Sequence, residues 1–241
     1  MKECNSIIQK ALKEGRNSLL IHEAGRICEL HNIPTPKSYV ARNAQDAVSR
    51  IDEIGFPVAL KIISPQILHK SDVGGVVLNI NSVEELRSAY SRLIAGVTMH
   101  EPKAEIIGVF VEKMMPPSTE VIVGGIRDRQ FGPSVMLGIG GIFAEVYGDV
   151  AFRIAPIDRV DALNLIHELK GSKLLEGTRG KPPADLDALV DILIKTSKLM
   201  LEHSKLNQLD LNPVIVYQKG ACSVDFRMVL EQEYGGTKVE S

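Results

Sequence analysis

With 241 residues, 44% of them hydrophobic and 24% charged, the chain can bury a sizeable core as one large domain or two packed subdomains. A net charge of −2 offers no electrostatic attraction to nucleic acid or an anionic membrane, and 5% aromatics without tryptophan supply no base-stacking platform. Three scattered cysteines (Cys4, Cys28, Cys222) with no CxxC pair argue for a reducing cytoplasm and against disulfides or zinc. The start, Met1-Lys2-Glu3-Cys4, has no apolar signal core, and the uncharged stretch Gly132 to Ala144 is too short to span a bilayer.

Leu20, Ala24, Ile27, Cys28 and His31 recur at helical spacing, and Ile33-Pro34-Thr35-Pro36 ends that helix. Asn43 with Asp46 opens a second helix with Gly55 as its stop, and Pro57 to Ile63 predicts a buried strand interrupted by Lys61. Val76 to Ile80 is a strand, Ser82 with Glu85 caps a helix carrying Val83, Leu86, Tyr90 and Leu93, and Ile106 to Lys113 is the next strand. Met114-Met115-Pro116-Pro117 is a joint, because prolines stop strand pairing. Strands follow at Thr119–Ile126, Ser134–Ile139 and Val150–Ile154, then helices near Asp158–Leu169 and Leu186–Glu202. Gly171 to Pro183 predicts an exposed loop, and a hairpin of Leu206–Tyr217 with Cys222–Leu230 turns at Gln218-Lys219-Gly220. These elements divide into an N-terminal helical segment (1–33), a small α+β subdomain (34–113), a larger one (114–230) and a flexible tail (231–241).

His69, in Leu68-His69-Lys70-Ser71-Asp72-Val73-Gly74-Gly75-Val76, lies between two strand-like runs, and an imidazole there can accept a phosphoryl group at its unprotonated nitrogen. The ordinary alternative is a surface histidine in a turn. Lys61 sits where an apolar residue is expected; it is either solvated on a half-exposed strand or a phosphate clamp, and if buried it requires a partner anion. Glu112 and Glu120 could hold an adenine amino group or ribose hydroxyls, Gly140 and Gly141 could let backbone approach phosphates, and Arg153 is a charge inside an apolar strand that could take a phosphate. Arg127 and Arg129 are expected in solvent.

Asp210 and Asn212, two apart, share one strand face. With Tyr217 facing Cys222, Val214 opposes Asp225 and Asn212 opposes Arg227. Asp225 then emerges on the face of Asp210 and Asn212, one diagonal step away, whereas a three-residue loop without a bulge would put them on opposite faces. Three convergent oxygen ligands suit Mg²⁺; the alternative is a polar hairpin face in water.

Together these residues resemble an ATP-grasp domain, in particular the β subunit of the NDP-forming acyl-CoA synthetases such as ADP-forming acetyl-CoA synthetase. The likeness runs over about residues 18 to 230. It rests on Val58-Ala59-Leu60-Lys61, the Ile67–Val76 run around His69, Val111-Glu112-Lys113-Met114, and Gly124-Gly125-Ile126-Arg127-Asp128. It continues through Phe131-Gly132-Pro133, Leu137-Gly138-Ile139-Gly140-Gly141 and Leu209-Asp210-Leu211-Asn212-Pro213-Val214. The resemblance implies an α+β ATP-grasp fold whose two subdomains clasp a nucleotide, and a phosphohistidine relay. A partner α subunit with the CoA-binding domain and the first phosphohistidine, in an α2β2 assembly, would form an acyl phosphate and deliver its phosphoryl group to ADP, with His69 as second carrier. Lys61 then matches the nucleotide-phosphate lysine, Glu112 and Glu120 the base and ribose contacts, and Met115, Gly140, Gly141 and Arg153 the remaining nucleotide site. Asn212 and Asp225 match the Mg²⁺ ligands, and Asp210 either ligates metal or, the favoured reading, orients His69.

The chain carries no CoA-binding segment of its own, so the acyl and CoA chemistry is expected in trans. An ATP-grasp carboxylate ligase working through an acyl phosphate would share Lys61 and the Mg²⁺ set but have no need of His69. A nucleotide sensor would tolerate loss of His69 and Asp210, and a scaffold would tolerate loss of Lys61 and Asn212 as well.

Overall fold

The structure, a computed structural model, describes residues 2–141, 148–177 and 182–231. The expected tail therefore lies outside the described residues from 232 onward, as do residues 178–181 of the expected loop. The chain order is α1 (Lys2–Lys13), α2 (Ile21–Leu30), β1 (Ser38–Ala41), α3 (Ala44–Ser49), β2 (Val58–Ile63), β3 (Val76–Ile80), α4 (Val83–His100) and β4 (Gly108–Lys113). Then come β5 (Thr119–Asp128), β6 (Gly132–Ile139), β7 (Val150–Ile154), α5 (Arg159–Glu168), α6 (Leu186–Glu202), β8 (Leu206–Val216), β9 (Ala221–Ser223) and β10 (Phe226–Leu230). None of the described helices is long and apolar enough to cross a membrane.

Two antiparallel sheets organise these elements. The smaller has strand order β1-β4-β2-β3, and the larger runs β10-β8-β5-β6-β7 with β9 paired to β8. In the small sheet β2 is buried along its whole length, because both of its faces are covered. Leu60 and Ile62 point into a core with Leu86, Leu93 and Val97 of α4. Ile63 and Phe110 point the other way, into the core of the larger sheet and its helices. Helix α4 starts where Ser82 accepts from the Glu85 N–H (3.2 Å), while the Glu85 carboxylate accepts from the Asn81 N–H (2.7 Å). Asn43 caps α3 in the same way through the Asp46 N–H (2.8 Å). That helix ends at Ser49, and Gly55, at φ +69°, closes the 3₁₀ turn after it.

The larger sheet has one covered and one open face. Val121, Val123, Val135, Leu137 and Ile139 lie in one core with Leu189, Leu193 and Met200 of α6. The helix approaches β5 so closely that a Cβ on Gly125 would stand 2.6 Å from Met200 Cγ. The opposite face leaves Ile126, Phe152 and Ile154 exposed. The segment after α5 is not a simple exposed loop: Ser172–Leu174 forms a 3₁₀ turn and Leu175 is buried. Arg127, expected in solvent, instead donates to the carbonyls of Met200, His203 and Leu206, tying the end of α6 to β5. Carbonyls at a helix end lack intrahelical partners, and a guanidinium can satisfy several at once.

Candidate functional site

Lys61 on β2 and Glu112 on β4 are diagonal neighbours, since Ala59 stands opposite Glu112 and Lys61 opposite Phe110. Both are buried, and the ammonium donates to Glu112 Oε2 at 2.7 Å and to the Val224 carbonyl. The partner anion that a buried Lys61 requires is thus a second predicted site residue, and the same ammonium fastens the small sheet to the loop before β10. Burial pushes the Glu112 carboxyl up to about 7, against the attraction of Lys61, and its Oε1 has no hydrogen-bond partner among the described residues.

His69 precedes a 3₁₀ turn, Lys70–Val73, that ends on Gly74 at φ +66°. The turn closes through Gly75, whose N–H donates to the Lys70 carbonyl at 2.6 Å. A Cβ on Gly75 would meet Ile62 Cγ2 at 2.6 Å and that carbonyl at 2.8 Å, so glycine is what lets the turn fold onto β2. The imidazole is exposed at the edge of a cavity of about 410 Å³, lined by His69, Lys70, Asp210, Asn212, Asp225 and Arg227 among others.

The hairpin register differs from the sequence expectation by two residues. Tyr217 pairs with Gly220 rather than Cys222, because the loop tightens to Gln218-Lys219. Val214 therefore faces Ser223 rather than Asp225, and Asp210 faces Arg227. The shift is even, so no side chain changes face. It moves Asp225 from a diagonal position to one opposite Asn212, in the gap between β9 and β10. Burial raises the Asp210 carboxyl above its ordinary range, opposed by Arg227 and assisted by Asp225. Lys70 Nζ lies 3.7 Å from Asp225 Oδ1.

A second cavity, about 430 Å³, shares Asp210, Asn212 and Arg227 and extends along the open face of the larger sheet past Ile122, Gly124, Met136 and Phe152. Glu120 is exposed one alternation further along β5, and Met115 is half-buried in the joint. Gly140 makes a close backbone approach: its N–H donates to the Glu120 carbonyl at 2.9 Å, and a Cβ there would stand 2.9 Å from that oxygen. Gly141 follows at φ +66°, and neither glycine lines either cavity.

Arg153 is not brought to this face. It stands opposite Val135, on the helix-covered side, where its guanidinium grips Glu168 of α5. Phe152 and Ile154, which made the strand look buried, are the exposed ones. The cavity residues with no assigned role in the sequence include two cations: Lys70, next to His69 in the chain, and Arg227, whose buried Nε has no hydrogen-bond partner among the described residues. Its place two residues after Asp225, and so on the same strand face, was the available signal for Arg227.

The ATP-grasp domain family matches residues 10–230. The chain is 46% identical over 228 residues to the β subunit of acetate–CoA ligase (ADP-forming) I of Pyrococcus furiosus, covering 95% of this chain and 98% of that one. It is similar to a solved acetyl-coenzyme A synthetase 1 of Ca. Korarchaeum cryptofilum in complex with coenzyme A and Ca-AMPCP (TM-score 0.92, 46% identity, 94% of this chain and 99% of that one). A second structure of that enzyme holds coenzyme A and Mg-AMPPCP, with a phosphohistidine segment pointing towards the nucleotide-binding site (TM-score 0.84, 43% identity, 95% and 100% covered). With that likeness running the length of both partners, the chain belongs to the ATP-grasp family, among the β subunits of the ADP-forming acetate–CoA ligases.

Proposed function

We propose that this chain binds the nucleotide in an ADP-forming acetyl-CoA synthetase and moves a phosphoryl group between phosphohistidine and ADP, within the overall conversion of acyl-CoA, ADP and phosphate to acid, ATP and CoA. The observation that carries the reading is the single cavity that gathers His69, Asp210, Asn212 and Asp225 from two separate parts of the chain. A ring nitrogen of His69 takes the phosphoryl group as the P–N bond to the partner's histidine breaks. An ADP β-phosphate oxygen then takes it from His69.

Asp210, which lines the same cavity as His69, is assigned the role of positioning the ring and favouring its cationic phosphorylated form. Lys70 and Arg227 add positive charge where phosphate oxygens gather. Asn212 and Asp225 are oxygen donors at matched positions on an open cavity wall, which fits a hard divalent cation. They would hold Mg²⁺, whose charge neutralises nucleotide phosphates. Lys61, Glu112, Met115, Glu120, Gly140 and Gly141 complete the proposed nucleotide contacts, and Arg153 is left out of the set because it stands on the helix-covered side of the sheet, opposite Val135.

Residues 34–113 and 114–230 serve in this reading as the two subdomains of the clasp, each built on its own sheet. The partner is an α subunit with the CoA-binding domain and the first phosphohistidine, in an α2β2 assembly. A cytoplasmic location is supported by three cysteines that are all unpaired.

Mass spectrometry of intact protein and peptides after incubation with Mg-ATP, with and without the α subunit, tests the proposal. An acid-labile phosphoryl group on His69, absent from His69→Ala, is expected. No adduct in either arm, with nucleotide binding intact, would overturn the relay and favour a ligase that forms an acyl phosphate directly.

A further inference from the structure

Outside the lining of the two cavities described above, three metal-ligating side chains meet where three helix ends converge. Cys4 lies in the first turn of α1, His31 directly follows α2, and His203 directly follows α6. Cys4 Sγ and one ring nitrogen of each histidine lie within 4.8 Å of one another, and the two Nε2 atoms are 3.0 Å apart. We propose that Cys4, His31 and His203 form a binding site for a borderline transition-metal ion such as Zn²⁺, which clips the N-terminal helices to the end of α6.

The donor set selects the metal. One thiolate and two imidazoles suit Zn²⁺ and disfavour Mg²⁺ and Ca²⁺, which take oxygen ligands. Tetrahedral zinc with ordinary bond lengths places two nitrogens about 3.3 Å apart and nitrogen and sulfur about 3.6 Å apart. The histidine pair needs to open by only a few tenths of an ångström, and Cys4 to close by about 1 Å, within reach of side-chain rotation. Solvent takes the fourth position.

The polar pair is also costly as it stands. Cys4 and His203 are buried, and Cys4 shares a core with Ile8, Ile27 and Leu199. The Glu202 carboxylate, 3.8 Å from His31 Nδ1, favours a proton on that nitrogen and leaves His31 Nε2 as a lone pair. The hydrogen bond between the rings then comes from His203 Nε2–H, so His203 Nδ1 is a buried acceptor with no partner among the described residues. A metal ion takes the Nε2 lone pairs of both rings once the His203 proton has moved to its Nδ1, while Cys4 releases its proton to solvent. The sequence argued against zinc because its three cysteines are scattered and form no CxxC pair; the fold instead gathers one of them with two histidines.

Zn²⁺ and Co²⁺ titrated into the full chain in excess Mg²⁺, which keeps the carboxylate cavity supplied, test the site. Expected are one equivalent bound, a thiolate-to-Co²⁺ charge-transfer band with tetrahedral visible absorption, and a higher melting temperature with Zn²⁺. Affinity should fall about tenfold or more in Cys4→Ser and His203→Gln, and persist in Cys222→Ser. Should those variants fail to fold, His31→Gln, on the more exposed histidine, gives the same reading. Absence of stoichiometric binding, or binding unchanged in His31→Gln or Cys4→Ser, would overturn the proposal and leave the cluster a plain histidine hydrogen bond.

Discussion

Lys61→Met isolates the ion pair that joins the two sheets. Lys61 is 6% exposed and holds both Glu112 and the Val224 carbonyl, while methionine keeps the apolar stem and deletes the ammonium. Removing one member of a buried pair costs about 3–5 kcal/mol, because the other charge is stranded. Glu112 can limit that loss by taking up a proton, since burial has already pushed its carboxyl to about 7 with Lys61 present. The expected cost at pH 8 is therefore near the lower end, about 3 kcal/mol. For a chain of this length that lowers the melting temperature by about 6–12 °C. The chain has no tryptophan, so circular dichroism is the practical signal. Glu112→Gln and the double variant complete a cycle in which the double variant should recover at least half of the Lys61→Met loss. If the double variant instead loses the sum of the two singles to within about 0.5 kcal/mol, the residues are not coupled and the reasoning fails.

Glu112 also predicts a pH dependence. Its folded-state value near 7 lies above the ordinary 4.5, so between them the folded chain binds more protons than the unfolded one. Its contribution is thus full below about 4.5 and lost as pH rises through 7, up to about 3 kcal/mol in all. Glu112→Gln should flatten that slope in urea unfolding series, and an unchanged slope would refute the assignment. Gly75→Ala should destabilise by about 1–3 kcal/mol and depress phosphorylation of His69, because the new methyl group collides with Ile62 and the Lys70 carbonyl. Unaltered melting and phosphorylation would show that the turn relaxes freely. Arg153→Ala should leave nucleotide affinity, read by calorimetry, within twofold of the parent; a tenfold loss would put Arg153 back in the site.

Short-range signals carried much of the fold. The caps at Asn43 and Ser82, the helical spacing of Leu86, Tyr90 and Leu93, and the strand alternation are set by residues within a turn or two of each other. The face shared by Asp210, Asn212 and Asp225 was equally legible, because a two-residue register error preserves parity. The register itself was not, since it depended on how tightly the chain turned at Gln218-Lys219.

What the sequence determined alone is that Lys61, if buried, had to find an anion, and that His69 stood in a glycine-bounded turn between two strands. Only the tertiary structure decided that the anion is Glu112, that Arg153 turns to α5 while Phe152 faces the open side, and that Cys4 reaches His31 and His203. Local periodicity reports which residues share a face. Which face is covered, and which distant residue completes a pair, depends on how the sheets and helices pack, and no window along the chain contains that information.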